Sequence, residues 1–157
     1  MLEQFGSQYE QYWRNVKELT PLEDIKMSRP DPLLAPMKDA ERRDVGGVTI
    51  EVVSAGASRV KRMIYPPGFR WSKHMKSIVG TDLCMHAHVG FLARGQVQIR
   101  YADGCTVDFT APQVVAIEPG HDGLVVGDEP AVMVEFDFES QTIQRLGMPD
   151  AHRHRSA

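Results

Sequence analysis

The sequence predicts an all-β fold, a sandwich or a small barrel, between Val48 and Phe138. Nearly every segment of this region reads as a short strand bounded by turn residues, with turn signals roughly every eight to twelve residues. Apolar and polar residues alternate within the segments, as in strands that bury one face. No run of helical periodicity separates these strands, which argues against a parallel α/β fold.

The strands can be assigned in order along the chain. VTIEVVS at 48–54 precedes RVKRMIY at 59–65, and the two prolines of YPPGFRW then interrupt the pairing. GQVQIRY at 95–101 leads through the tight turn ADG into CTVDF at 105–109. The sequence from Thr110 to Phe138 adds three more strands, with turns at EPGH and GDEP.

The residues before this region have a different character. Between Ser7 and Leu19, aromatic and aliphatic residues recur at three- and four-residue intervals, which predicts an amphipathic helix. Thr20 to Lys38 is too rich in proline for a helix or a central strand, so an extended arm is expected. We therefore divide the chain into a helix and arm at 1–42, a barrel at 43–140 and a tail at 141–157.

Composition narrows the possible partners. The formal net charge of −3 gives no electrostatic basis for binding nucleic acid or an acidic membrane surface. No apolar run approaches the length that spans a membrane, and the amino terminus lacks the apolar stretch of a secretory signal. A cytoplasmic protein is expected, and its two cysteines are then free thiols or ligands rather than a disulfide.

One short segment concentrates groups that can bind a metal. A regular strand would direct Asp82, Cys84, His86 and His88 to one face, with apolar residues at the alternate positions. Thiolate and imidazole ligands suit zinc, iron(II), copper or nickel and disfavour magnesium or calcium. The alternative is that these residues only fill the interior of the protein, because lone cysteines and histidines usually do so.

The order of turns and two motif regions resemble the cupins, a family of small jelly-roll barrels. The first motif of the family carries H-x-H, then a glutamate and a closing glycine. Aligned at its front, the motif matches His86 and His88, but no glutamate follows. Aligned at its closing glycine, Gly95 in GFLARGQVQI, the glutamate position falls on His88 and the second histidine position on Cys84. We prefer this second alignment, because a one-residue shift in the register of a strand would move all of its side chains to the opposite face.

The second cupin motif is matched only in part. In EPGHD, His121 lies two residues before the family's histidine position, on the same strand face, and is expected to replace it. The resemblance thus implies Cys84, His88 and His121 as metal ligands, with His86 as a fourth. Zinc or iron(II) is the expected metal, with nickel, copper or manganese as alternatives.

The resemblance implies a cupin-type jelly-roll barrel that acts on a small molecule and pairs as a homodimer. Arg70, Phe91 and Tyr101 are expected to contact the substrate, and Arg70 is suited to a carboxylate. The first functional hypothesis is a metal-dependent enzyme with oxygenase-, isomerase- or hydrolase-like chemistry. The second is a binding or sensing module without turnover. The fold by itself does not choose between them.

Overall fold

Nine β-strands form most of the structure in the computed structural model, which describes residues 30–152. The strands are β1 (Glu41–Val45), β2 (Val48–Ala55), β3 (Ser58–Tyr65), β4 (His88–Arg94), β5 (Gln96–Tyr101), β6 (Thr106–Thr110), β7 (Gln113–Ile117), β8 (His121–Val126) and β9 (Ala131–Asp137). The predicted helix at 7–19 and the first part of the arm lie outside the described residues.

The strands form two antiparallel sheets. The larger has the order β1-β2-β3-β9-β4-β7, and the smaller has the order β6-β5-β8. Consecutive strands pair as hairpins at β1–β2, β2–β3 and β5–β6, whereas β9 inserts between β3 and β4. The prediction of an all-β fold is confirmed.

Short helical turns connect or follow the strands. Helices α1 (Trp71–His74) and α2 (Lys76–Val79) lie between β3 and β4. A 3-10 turn (Glu139–Gln141) and α3 (Thr142–Leu146) follow β9. None of the helices in the described range 30–152 is both long and apolar enough to cross a bilayer.

Alternation of side chains across the strands creates the core between the sheets. Leu92 on β4, Ile99 on β5 and Met133 on β9 are each 4% exposed or less. Full burial of such a side chain stabilises the fold by roughly 1.5–3 kcal/mol. Burial of these inward faces is therefore what holds the two sheets together.

Two glycines fix how closely β4 approaches its neighbours. A Cβ atom at Gly90 would lie 2.0 Å from the carbonyl oxygen of Val134 on β9, so any side chain would force the strands apart. Gly95, between β4 and β5, has φ of +78° and faces the Pro130 carbonyl, 2.7 Å from where its Cβ would be. This turn therefore needs glycine both for its backbone conformation and for its contacts.

The described part of the arm, residues 31–37, is anchored to the outer face of the larger sheet. Arg62 on β3 forms an ion pair with Glu51 on β2, with Nε 2.8 Å from Oε2. The same guanidinium donates to the backbone carbonyls of Pro32 and Ala35, and the Met37 N–H donates to Glu51 Oε1 at 3.1 Å. One buried ion pair thus holds this stretch of the arm against two strands.

Candidate metal centre

A cavity of about 290 Å³ lies between the two sheets. Most of its wall is aliphatic and aromatic, with Ile50, Phe69, Trp71, Ile99 and Met133 among the residues that line it. Its polar side chains include Cys84, His86, His88 and His121. A small polar group set in an apolar pocket is the usual arrangement of a site for a small molecule.

Three of these polar residues converge. One ligand atom each from Cys84, His88 and His121 lies within 4.8 Å of the others. All three residues are buried, with exposed fractions of 6%, 9% and 2%. The Cys84 Sγ lies 3.6 Å from the His88 Nε2. These are the residues that the alignment on Gly95, with His121 as the replacement, predicts as ligands.

The local backbone explains why Cys84 reaches this point. The Cys84 N–H donates to the His121 carbonyl at 2.8 Å, and the Gly120 N–H donates to the Cys84 carbonyl at 2.8 Å. This isolated bridge ties the segment before β4 to the start of β8. The chain is not a regular strand until His88, so the strict alternation expected from Asp82 to His88 is broken.

Both histidines of this group are fixed through the opposite ring nitrogen. The His88 Nδ1 donates to Glu135 Oε1 at 2.6 Å, and the His121 Nδ1 donates to the Glu118 carbonyl at 2.7 Å. Each ring therefore keeps Nε2 for a ligand. A carboxylate or carbonyl behind the imidazole is the usual support of a metal-binding histidine, because it fixes both tautomer and orientation.

The charges of the group are strongly coupled. Burial by itself raises the pKa of the Cys84 thiol, but hydrogen bonds from His121 and His88 outweigh it and lower that pKa to about 6. Burial lowers the pKa of His88, but the Glu135 carboxylate and the Cys84 thiol outweigh it and raise that pKa to about 10. Both shifts favour a proton on the His88 ring rather than on the Cys84 sulfur.

His86 and Asp82 are not part of this convergent group. Lys61 Nζ donates to the His86 Nε2 at 2.9 Å, which turns that ring toward β3. Burial, then the charges of His88 and Lys61, lower the pKa of His86 to about 4, so the ring is neutral. His86 instead forms a second possible ligand group with His88 and Glu135. The Asp82 side chain is 89% exposed and pairs with Lys76 at 2.7 Å.

The three residues predicted to contact substrate are not among those that line the cavity. Phe91 is 42% exposed and lies on the outer face of β4, because its neighbours Gly90 and Leu92 take the inward positions. The expectation that it lies near the cavity is therefore wrong. Tyr101 is buried behind His121, with ring centroids 6.1 Å apart. Arg70 precedes α1 and is half-buried, and its N–H donates to the His74 Nδ1 at 3.1 Å.

His152, near the end of the described residues, is held in place by two contacts. Its ring stacks on Tyr101 with centroids 3.7 Å apart, and its Nδ1 donates to Glu118 Oε2 at 2.6 Å. The tail is therefore packed at least as far as this residue. Sequence reasoning missed it because a histidine near a chain terminus carries no periodic signal.

Sequence reasoning also missed the charged groups behind the histidines. Glu135 on β9 is fully buried, and its Oε2 lies 3.3 Å from the Nζ of Lys61, directly opposite on β3. Lys61 also contacts Asp137 at 2.6 Å. Burial alone would raise the pKa of Glu135, but the charges of His88 and Lys61 outweigh burial and lower that pKa. The carboxylate therefore stays ionised.

The geometry fits a transition ion. Usual zinc–sulfur and zinc–nitrogen bond lengths with tetrahedral angles place two ligand atoms about 3.5 Å apart. The 3.6 Å between Cys84 Sγ and His88 Nε2 matches that spacing. Soft and borderline donors of this kind select zinc, iron, nickel or copper over magnesium and calcium. Three protein ligands also leave a position open for water or a substrate.

Fold and site together define a β-barrel of two antiparallel sheets, with a cluster of possible metal ligands in the wall of its cavity. Neither a family model nor a curated protein matches the sequence. Among solved structures, a Cupin 2 conserved barrel domain protein from Salinispora arenicola is similar at 17% identity and a TM-score of 0.48, over 73% of this chain and 94% of that one.

Two further solved structures are similar. A cupin-2 domain from Rhodospirillum rubrum shares 15% identity at a TM-score of 0.48, over 69% of this chain and 75% of that one. The cupin domain of Schizosaccharomyces pombe Cnp3 shares 8% identity at a TM-score of 0.45, over 71% and 77%. These likenesses concern the path of the backbone alone.

Proposed function

We propose that the protein is a metal-binding cupin that acts on a small molecule inside the barrel. The observation that carries this proposal is the pair of buried histidines, His88 and His121, each held through Nδ1 so that Nε2 is free toward the Cys84 sulfur. Cys84, His88 and His121 are the proposed ligands. His86 is a fourth ligand only if its ring leaves Lys61.

Zinc or iron(II) is the metal we favour, with nickel or copper as alternatives and manganese least suited to a thiolate and two imidazoles. A bound divalent ion would act as a Lewis acid and would provide an open coordination position for a substrate, water or O₂. The chemistry we propose is oxygenase-, isomerase- or hydrolase-like. The apolar wall of the cavity would exclude bulk water, and Glu135 would keep the His88 ring oriented.

Elemental analysis of the purified protein tests the ligand set. We expect close to one equivalent of a transition metal in the wild-type protein and little in Cys84→Ser, His88→Ala or His121→Ala. Cys105→Ser and His74→Ala are matched controls, because both residues are partly buried and lie outside the ligand group. Unchanged metal content in the three ligand variants would refute the assignment.

The identity of the metal would separate turnover from binding without turnover. Iron with two open coordination positions favours an oxygenase. Zinc closed by four protein ligands, including His86, favours a binding or sensing module. X-ray absorption spectroscopy of the purified protein reports both the element and the number of sulfur and nitrogen ligands.

A second candidate function is nucleophilic catalysis by Cys84 without a metal. It is favoured by the relay in which Glu135 accepts from His88 Nδ1 at 2.6 Å while His88 Nε2 faces the Cys84 sulfur at 3.6 Å. That is the order of carboxylate, imidazole and thiol in a catalytic triad. Metal-free protein in which iodoacetamide alkylates Cys84 much faster than Cys105 would support this candidate.

We also propose that the protein forms a homodimer through the outer face of β4, β7 and β9. Phe91, Val114 and Phe136 lie on this face and are 42%, 72% and 53% exposed. Exposed apolar side chains clustered in this way commonly mark an interface. Light scattering should give twice the chain mass of 17.6 kDa, and Val114→Asp should shift the mass toward the monomer. A wild-type monomer would contradict the proposal.

A further inference from the structure

In the part of the chain that the structure describes, the wall of the cavity has no charged side chains other than its cysteine and histidines. Among the described residues that line it, none is an arginine, a lysine, an aspartate or a glutamate. The nearest buried cations of the ligand region are already engaged, since Lys61 contacts Glu135 and Asp137 at 3.3 and 2.6 Å. Arg70, which the sequence suggested for a substrate carboxylate, is not part of the wall.

One hydroxyl on the wall has only a weak partner. Tyr65, at the end of β3, lines the cavity, and its ring packs against Phe69 with centroids 5.0 Å apart. Its hydroxyl donates to the Met63 sulfur at 3.4 Å. A thioether is a poor acceptor, so an oxygen atom brought beside Tyr65 would be a stronger partner for that hydroxyl.

We propose that the cavity admits an uncharged, largely apolar molecule of about two fused rings, and that Tyr65 recognises one oxygen atom of it. The size follows from the volume, because a cavity of about 150 Å³ holds benzene and this one has about 290 Å³. The inference rests on the proposed function for its chemistry, although binding of the molecule itself requires only the cavity.

Charge is the main criterion of selection in this proposal. A carboxylate that enters the cavity loses its hydration and finds no arginine or lysine on the described part of the wall, and the His88 ring is already hydrogen-bonded to Glu135. A neutral ring loses little on leaving water and gains contact with Trp71, Ile99 and Met133. The protein should therefore separate two ligands of the same shape by their charge.

Calorimetric titration of the purified protein with 2-naphthol and with 2-naphthoate tests this selection. The two probes share the ring system and differ in charge at pH 7. We expect 2-naphthol to bind at least about tenfold more tightly to protein from which metal has been removed with a chelator. Equal or tighter binding of 2-naphthoate to the chelated protein would overturn the proposal.

Tyr65→Phe tests the recognition of oxygen. The variant should bind 2-naphthol about two- to tenfold more weakly, and it should bind naphthalene, which has no oxygen, as the wild type does. An equal loss for both probes would mean that Tyr65 only packs against the ligand. Circular dichroism of the variant checks that the barrel is intact.

Met75→Arg tests the charge rule from the opposite side. Met75 lines the cavity, so an arginine there should bring 2-naphthoate binding to at least that of 2-naphthol. Thr106→Arg adds the same charge at an exposed position on β6, in the smaller sheet, and should leave the preference unchanged. Metal content measured on the same samples separates the two proposals. A protein that is purified without metal and prefers 2-naphthol refutes only the metal site. A protein that binds metal but lacks the preference after chelation refutes only this inference.

Discussion

Two glutamates of the larger sheet are buried to the same degree on its opposite faces. Glu51 on β2 is 1% exposed and faces outward, under the arm, whereas Glu135 on β9 is 0% exposed and faces the interior, behind His88. Glu51 pairs with the guanidinium of Arg62 and receives a backbone N–H from the arm. Glu135 holds the ring of His88, which in turn faces the Cys84 sulfur.

The different partners of Glu51 and Glu135 show that a buried charge alone does not mark a functional site. Both carboxylates are desolvated, and both need a partner to be tolerated. The partner of Glu51 is Arg62, which is permanently charged and otherwise donates only to backbone carbonyls of the arm. That ion pair therefore attaches the arm to the sheet. The partner of Glu135 has a second nitrogen, and that nitrogen meets a thiol and a second imidazole.

Replacement of Glu51, the structural carboxylate, should have the largest effect, which is a lower free energy of unfolding. Glu51→Gln leaves the buried Arg62 without its counter-charge, and we expect unfolding to become easier by about 3–5 kcal/mol. Urea denaturation of the variant measures this loss. Metal bound per folded molecule should not change, since Glu51 lies on the other face of the sheet. A parallel loss of metal from folded protein would break the distinction between the two glutamates.

Removal of the site carboxylate should act mainly on metal affinity. Glu135→Gln keeps an acceptor for the His88 Nδ1 but removes the charge, and we expect a 10- to 100-fold weaker metal affinity, roughly the usual effect of such a support. Lys61 retains Asp137, so the loss of stability should be smaller than in Glu51→Gln. Competition with a chromophoric chelator gives the affinity. An unchanged affinity would refute the role assigned to Glu135.

The dependence of metal affinity on pH should also distinguish the roles of Glu135 and Glu51. The pKa of His88 is raised to about 10, so at neutral pH a metal must displace one proton from its ring. The pKa of Cys84 is lowered to about 6, so the thiol is already ionised. Apparent affinity should therefore rise about tenfold per pH unit between those two values, and more steeply below pH 6.

The same chelator competition, repeated across pH, checks this slope. Glu135→Gln removes the charge that raises the pKa of His88, so its slope should flatten at a lower pH than in the wild type. Glu51→Gln serves as the control and should follow the wild-type curve. A slope that is flat from pH 6 to 8 in the wild type would contradict the predicted proton release.

Local sequence patterns were sufficient for the architecture of the barrel. The alternation in GQVQIRY and the turn ADG predict β5, β6 and their hairpin, because each depends on side chains a few residues apart. Gly95 also locates the start of β5, since its positive φ and its close contacts leave no other residue suitable. The grouping of Cys84, His88 and His121 came from the family's motif, and not from strand alternation.

The charged support of the site could not be read from alternation. In VMVEFDF, the usual pattern would bury Phe136 and expose Glu135 and Asp137, but the structure does the reverse. The reversal depends on Lys61, which lies opposite Glu135 on a strand more than seventy residues earlier in the chain. A partner so distant in sequence leaves no local signal.

The bridge between Cys84 and His121 joins the approach to β4, in the larger sheet, to β8, in the smaller one. A metal ion bound by Cys84, His88 and His121 would therefore link the larger sheet to the smaller one. Release of that ion would require the two sheets to separate locally. Exchange of the metal should therefore be slow, and its rate should follow the rate at which the barrel opens.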